Sequence, residues 1–231
     1  MLDALRDEVL RANVALATSG LARFTFGNAS AIDRAAGRVV IKPSGVPYSE
    51  LTRESMVVTD LDGRVVEGAL RPSSDLATHL VLYRAFVEIG GIVHTHSHFA
   101  TAWAQAEREI PCLGTTHADY FHGSIPVTAP MPPHQITGEY EANTGAAIVD
   151  RFGNLDSATM PAVLVAGHAP FCWGASVSAA VHIAELLEEV ATMAYHTVVI
   201  NAEADEISAV LRDRHFFRKH GNAAYYGQHP G

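Results

Sequence analysis

The chain has 231 residues, a formal net charge of −9, 48% hydrophobic residues and 18% charged ones. That is enough apolar material for a sizeable core in one large domain or two small ones, and an acidic balance without a basic run argues against nucleic acid and anionic membrane surfaces as partners. No uninterrupted apolar stretch reaches membrane-spanning length, and the start, Met1-Leu2-Asp3-Ala4-Leu5-Arg6-Asp7-Glu8, is charged too early for a signal peptide. Cys112 and Cys172 form no Cys-x-x-Cys, so they are expected as core residues in a reducing cytoplasm.

Leu2, Leu5, Val9, Ala12 and Leu16 recur at helical spacing and predict an amphipathic opening helix ended by Ser19-Gly20. Residues 26–32 read as a strand, Ala36-Gly37 as a turn, and residues 38–41 as the hairpin partner. Lys42-Pro43-Ser44-Gly45-Val46-Pro47 then breaks the ladder. Such a loop can present a positive charge and backbone N–H groups to an anion, although Pro-Ser-Gly is also ordinary turn chemistry. Residues 56–59 and 64–67 form a second hairpin around Asp62-Gly63. Ser73 and Ser74 stand where an N-cap belongs, before a helix carried by Leu76, Leu80, Tyr83 and Val87. A helix N-terminus with two hydroxyls suits an anion, and plain capping accounts for it as well. Asp75, in the first turn, suits the positive end of the helix dipole.

Gly90-Gly91 leads into Ile92-Val93-His94-Thr95-His96, an apolar strand ending in histidines. Side chains alternate faces along a strand, so His94 and His96 are expected to point the same way and grip one metal ion. Neutral imidazole suits zinc, and a catalytic zinc keeps a coordination position open. A helix over 99–107 follows, then a polar and aromatic stretch over 114–127 expected as strand and loop, and a helix over 145–152. Residues 161–168 repeat the design of an apolar strand ending on a histidine, which makes His168 the candidate third ligand. A long helix over 178–199 places Val181, Ala184, Leu187, Val190, Ala191 and Ala194 on its apolar side. Its acids Glu185, Glu188 and Glu189 are expected on a solvated or subunit-facing surface. A last, charged helix spans 206–220, and two tyrosines in the tail, Tyr225-Tyr226, suggest that the terminus docks onto a neighbouring subunit. His98, His117, His122, His134, His182 and His196 are given no ligand role. With no repeat, linker or composition break, one domain is expected over 1–231.

Taken in order, Asn28, Lys42-Pro43-Ser44-Gly45, Pro72-Ser73-Ser74-Asp75, His94-Thr95-His96 and His168 resemble the class II aldolase/adducin family, and the likeness runs end to end. Gly114-Thr115-Thr116-His117-Ala118-Asp119-Tyr120-Phe121, Arg218-Lys219-His220-Gly221 and Tyr225-Tyr226-Gly227-Gln228 resemble its bacterial L-ribulose-5-phosphate 4-epimerase branch. The resemblance implies an α/β fold (an α+β three-layer sandwich) with a mainly antiparallel central sheet and helices on both faces. It also implies a homotetramer with active sites at subunit interfaces. The implied activity is metal-dependent 4-epimerisation of a small phosphorylated ketopentose, as in L-arabinose catabolism. An L-fuculose-phosphate-type aldolase is the alternative, and a non-catalytic adducin-like module a remote one.

By the same resemblance, His94, His96 and His168 bind zinc or another divalent ion such as manganese or cobalt, with Asp75 at the acidic position near the metal. Asp there, rather than Glu, favours the epimerase branch. Gly27, Asn28, Ser44, Gly45, Ser73 and Ser74 match the substrate phosphate-binding positions, with Lys42 beside them. Asp119 and Tyr226 match the two acid/base residues, Tyr226 being lent by the adjacent subunit, and Thr115, Glu141, His215 and Arg218 match supporting positions. The tail continues beyond the family pattern with His229-Pro230-Gly231, which bears on how Tyr226 docks.

Overall fold

A computed structural model describes residues 2–221 and 224–226; Gly227, Gln228 and the His229-Pro230-Gly231 extension lie outside the described residues. Helix α1 (Leu2–Thr18) buries Val9, Ala12 and Leu16 as its spacing predicts. Two hairpins follow, β1 (Asn28–Asp33) with β2 (Arg38–Ile41) and β3 (Val57–Asp60) with β4 (Val65–Glu67). Helix α2 (Leu76–Ala85) leads to β5 (Gly91–His94) and α3 (His98–Gln105). Then come α4 (Thr115–Ala118), α5 (Pro133–Ile136) and α6 (Tyr140–Arg151). The chain continues with β6 (Ala162–Leu164), β7 (Pro170–Gly174), α7 (Val177–Ile200) and α8 (Ala209–Phe217). The strands form one seven-stranded sheet in the order β4-β3-β2-β1-β5-β7-β6, every neighbour antiparallel.

Register decides which helices cover which face. Ser30, Ile92 and Trp173 lie opposite one another across β1, β5 and β7. Trp173 packs at 5.1 Å against both Phe86, which ends α2, and Phe152, which ends α6. Each such aromatic pair is worth about 0.5–1.5 kcal/mol beyond its burial. The alternate row, Ala31, Gly91 and Gly174, faces α7. A Cβ on Gly91 would lie 2.3 Å from the Val177 backbone, so only glycine lets α7 lie this close to the sheet. Asn28, His94 and Phe171 form the next row on the α2 side, at the end of the sheet. The histidine strand therefore delivers its side chains to the rim between sheet and α2.

Several expectations change. The strand ends at His94, so His96 lies beyond the ladder. The stretch over 161–168 holds only a three-residue strand; His168 sits in the turn after it, and β7 follows without having been expected. The polar segment after Gly114 folds into α4, and α6 begins at Tyr140. Helix α2 stops at Ala85 and leaves Val87 62% exposed, because Arg34 donates to the carbonyl oxygens of Tyr83, Phe86 and Ile89 at its C-terminal end. Glu188 is half-buried rather than solvated: its carboxylate accepts the Phe99 and Ala100 N–H groups at 2.7 and 2.9 Å. A side chain from α7 thus caps α3, whose N-cap Ser97 makes no side-chain bond. Cys112 and Cys172 are buried and unpaired.

Candidate active site

Two loops are tied together first. Ser44 N–H donates to Arg71 O and Ser73 N–H to Lys42 O, a bridge between the Lys42-Pro43-Ser44-Gly45 and Arg71-Pro72-Ser73-Ser74 segments. Beside them Gly27 has φ +79°, and a Cβ there would meet His94 O at 2.7 Å. Glycine is required for both reasons. The result is a cavity of about 400 Å³ at the sheet rim. Gly27, Asn28, Lys42, Ser44, Gly45, Ser73, Ser74, Asp75, His94, His96, Glu141 and His168 all line it.

Lys42 is 2% exposed, with its Nζ 3.3 Å from Pro43 O and over the Tyr48 ring. It makes no ion pair among the described residues. Burial lowers its pKa from 10.5. A buried ammonium beside serine hydroxyls and loop N–H groups is chemically suited to an anion.

His94, His96 and His168 bring ring nitrogens within 4.8 Å of one another. His94 Nδ1 lies 2.9 Å from Pro170 O, and a carbonyl only accepts, so Nδ1 carries the proton and Nε2 presents its lone pair. That Nε2 is 3.2 Å from His96 Nε2. His168 Nδ1 is 3.2 Å from the Tyr140 hydroxyl, leaving its other nitrogen available. Phe171 stacks on His94 at 4.2 Å and fixes the ring plane. Burial pushes His94 down to about 3 and lowers His96 and His168 as well. Three neutral imidazoles with converging lone pairs fit a divalent metal, and zinc by donor type.

Asp75 stands beside them. Burial pushes its carboxyl up, but His94, His79, the Asn28 hydrogen bond and His168 together hold it below its ordinary value. Asn28 Nδ2 donates to one carboxylate oxygen, Oδ2, at 2.6 Å. The position is the helix N-cap, yet Asp75 caps nothing, and Ser73 Oγ accepts its N–H instead. Its charge is left for the cavity.

Asp119, Tyr226, Thr115, His215 and Arg218 do not line this cavity. They gather elsewhere, where α4 meets α8. Arg218 donates to both oxygens of Asp119 at 3.0 and 2.7 Å, His215 Nδ1 lies 3.0 Å from Oδ1, and Lys219 Nζ is 3.5 Å from Oδ2. Burial raises the Asp119 carboxyl, but Arg218, His215 and Lys219 outweigh it and hold the group below its ordinary value. The Tyr226 ring lies over the Arg218 and Lys219 cations at 4.6 and 4.8 Å. Thr115 opens α4, one turn before Asp119, whose N–H donates to its carbonyl.

Sequence reasoning missed Tyr140, which sits next to Glu141 but carried no signal of its own, and the buried His79. His79 had one: Asp75, His79 and Tyr83 repeat every four residues along a buried helix face.

The model of the class II aldolase and adducin N-terminal domain matches residues 7–195. The chain belongs to the class II aldolase/adducin family. Among solved class II aldolase structures, an L-fuculose 1-phosphate aldolase is 26% identical, with a TM-score of 0.79 over 93% of this chain and 95% of that one. YgbL from Klebsiella pneumoniae, described as a putative aldolase/epimerase/decarboxylase, is also 26% identical, with a TM-score of 0.72 over 91% and 97%. An L-fuculose 1-phosphate aldolase from Glaciozyma antarctica shares the fold at 14% identity, with a TM-score of 0.77 over 96% and 84%. In this class II aldolase fold the mixed helices and antiparallel sheet are those the sequence implied. The family suggests a divalent-metal-dependent enzyme of sugar phosphates.

Proposed function

We propose that the chain is an L-ribulose-5-phosphate 4-epimerase, interconverting L-ribulose 5-phosphate and D-xylulose 5-phosphate. The observation that carries this reading is the Asp119–Arg218–Tyr226 cluster. A carboxylate and a phenol around one guanidinium offer the two acid/base groups that inversion at C4 needs and simple cleavage does not.

C4 of a 2-ketose is not adjacent to the carbonyl, so its hydrogen is not acidic and the C3–C4 bond must break instead. Asp119, held ionised by its cations, takes the C4 hydroxyl proton. The C3–C4 electron pair moves onto C3, giving the enediolate of dihydroxyacetone and free glycolaldehyde phosphate. Lys42, the Gly45 N–H group and the Ser44, Ser73 and Ser74 hydroxyls hold the phosphate while the aldehyde turns. The enediolate then adds to the opposite aldehyde face, and Tyr226 gives the new C4 oxygen its proton. A divalent ion held by His94, His96 and His168, with Asp75 beside them, supplies Lewis-acid stabilisation of enediolate charge when bound. Zinc suits the three imidazoles, with manganese or cobalt as alternatives.

Asp119 and Tyr226 serve the cavity of a neighbouring subunit in a homotetramer on this reading, since neither lines the cavity of its own chain. His215, Arg218 and Lys219 hold Asp119 in place, and Thr115 and Glu141 support substrate placement. The likeness to L-fuculose 1-phosphate aldolase favours aldol cleavage as the second reading, because the metal and phosphate residues alone suffice for it. Incubating the metal-loaded protein with L-ribulose 5-phosphate separates the two. D-xylulose 5-phosphate supports the epimerase. Accumulating glycolaldehyde phosphate and dihydroxyacetone without epimer, or preferential cleavage of L-fuculose 1-phosphate, supports the aldolase.

A further inference from the structure

Helix α6 is held close against α2. Gly145 permits the approach, because a Cβ there would lie 2.7 Å from Val81 Cβ. Thr78 Oγ1, buried on α2, donates to Glu141 O at 2.6 Å, and Thr144 Oγ1 donates to Tyr140 O at 2.9 Å. These contacts fix the first turn of α6, where Tyr140 and Glu141 stand on the cavity wall. Tyr140 is half-buried, and its hydroxyl is 3.2 Å from His168 Nδ1. The ring centroids are 6.2 Å apart, too far for the faces to touch, so the contact is made at the ring edges.

One proton lies between that hydroxyl oxygen and Nδ1, and its owner decides what else both groups can do. If the Tyr140 hydroxyl donates, a neutral His168 carries its own proton on Nε2, and no lone pair is left for a metal. If His168 Nδ1–H donates, Nε2 keeps its lone pair, as His94 does with its Nδ1–H on Pro170 O. The second arrangement makes the three converging imidazoles a complete donor set. The Tyr140 oxygen is then an acceptor, and its own proton has no partner among the described residues. Two groups outside the triad bond its rings among those residues: Pro170 O has no proton to give, and Tyr140 has one. The polar groups around it do not duplicate that donor. Asp75 and Glu141 are carboxylates that only accept, and both Asn28 Nδ2 protons are committed, to Ser73 Oγ and Asp75 Oδ2.

We propose that Tyr140 is a substrate-binding residue of this cavity: its hydroxyl oxygen accepts His168 Nδ1–H, and its own proton is directed to a substrate oxygen on the half of the ketose that becomes the enediolate. The identity of that oxygen rests on the proposed function; the direction of the hydroxyl does not. The role is separate from those of Asp119 and Tyr226, which handle the proton of the C4 oxygen.

Selective 15N-histidine labelling of the zinc-loaded protein reads the bond without substrate. His168 is expected to carry its proton on Nδ1, exchanging slowly with water, and to exchange it faster in Tyr140→Phe. A bare Nδ1 overturns the proposal. The donor is read with acetohydroxamate, a small planar chelator whose two cis oxygens resemble those of an enediolate, and saturating zinc removes any effect that acts through metal affinity alone. Its affinity for the zinc-loaded protein should fall about tenfold in Tyr140→Phe, as one hydrogen bond to a charged oxygen is lost. With substrate, kcat at saturating zinc should fall by about tenfold or more while KM changes by less than about twofold, because the hydroxyl serves charge that develops on cleavage. Unchanged acetohydroxamate affinity overturns the donor role, and unchanged kcat overturns its placement on the reacting half. A protein that turns over neither L-ribulose 5-phosphate nor L-fuculose 1-phosphate contradicts the proposed function alone, because the His168 proton and the acetohydroxamate affinity are still read.

Discussion

His117 carries a pH dependence that can be tested apart from the cavity. Its Nε2 lies 2.7 Å from Gly123 O, and burial pushes its pKa down to about 4, against the opposing pull of that bond and of Glu206. An unfolded imidazole takes a proton near 6.5, whereas the folded one resists until about 4. Between those values the unfolded chain binds more protons, so stability falls as pH falls, by up to about 1.4 kcal/mol per pH unit for this group. Denaturant midpoints of the metal-free protein across that window should show the slope, and His117→Gln should flatten it by one proton's worth. Gly27→Ala is expected to cost at least about 1–2 kcal/mol in the same assay and to weaken metal binding, because its Cβ would meet His94 O. The cavity residues were legible because each lies on a short local signature: a Pro-Ser-Gly loop, a double serine before a helix, histidines ending apolar runs. The Asp119–Arg218 pairing, with its partners 99 residues apart, has no local signal and came only from resemblance.

At the scale of elements, the placement of His96 depends on a contact the sequence does not reveal. Helix α3 begins two residues after His96, and Glu188 of α7 accepts its first free N–H groups. Glu188→Ala should destabilise the fold by about 1–2 kcal/mol, measured as a lowered denaturant midpoint, and Glu188→Gln by less. The acids of α7 read as a solvated face because an amphipathic pattern says which side is apolar and not what a neighbouring helix end needs. Strand β7 escaped for a related reason. Pro170-Phe171-Cys172-Trp173 is apolar on both faces of a central strand, so it lacks the alternation that marks a half-exposed one. Helix α4, with four residues, is too short to show a period.

For the whole molecule, the metal-type histidines and the Asp119–Tyr226 cluster belong to different parts of one chain. If neighbouring subunits complete each site, two inactive variants complement each other. Randomly mixed oligomers of His94→Asn and Tyr226→Phe subunits should recover roughly a quarter of the unaltered activity in a closed ring, since half the sites have each good part. Mixtures no more active than either parent would place both parts in one subunit's site or remove one from catalysis. The central claim is inversion at C4 through a broken carbon–carbon bond, and the hydrogen on C4 reports it. Turnover of L-ribulose 5-phosphate in D2O, with the D-xylulose 5-phosphate read by NMR, should give epimer that retains protium at C4, because that hydrogen never leaves its carbon. Deuterium at C4, or no epimer at all from the metal-loaded protein, contradicts the account.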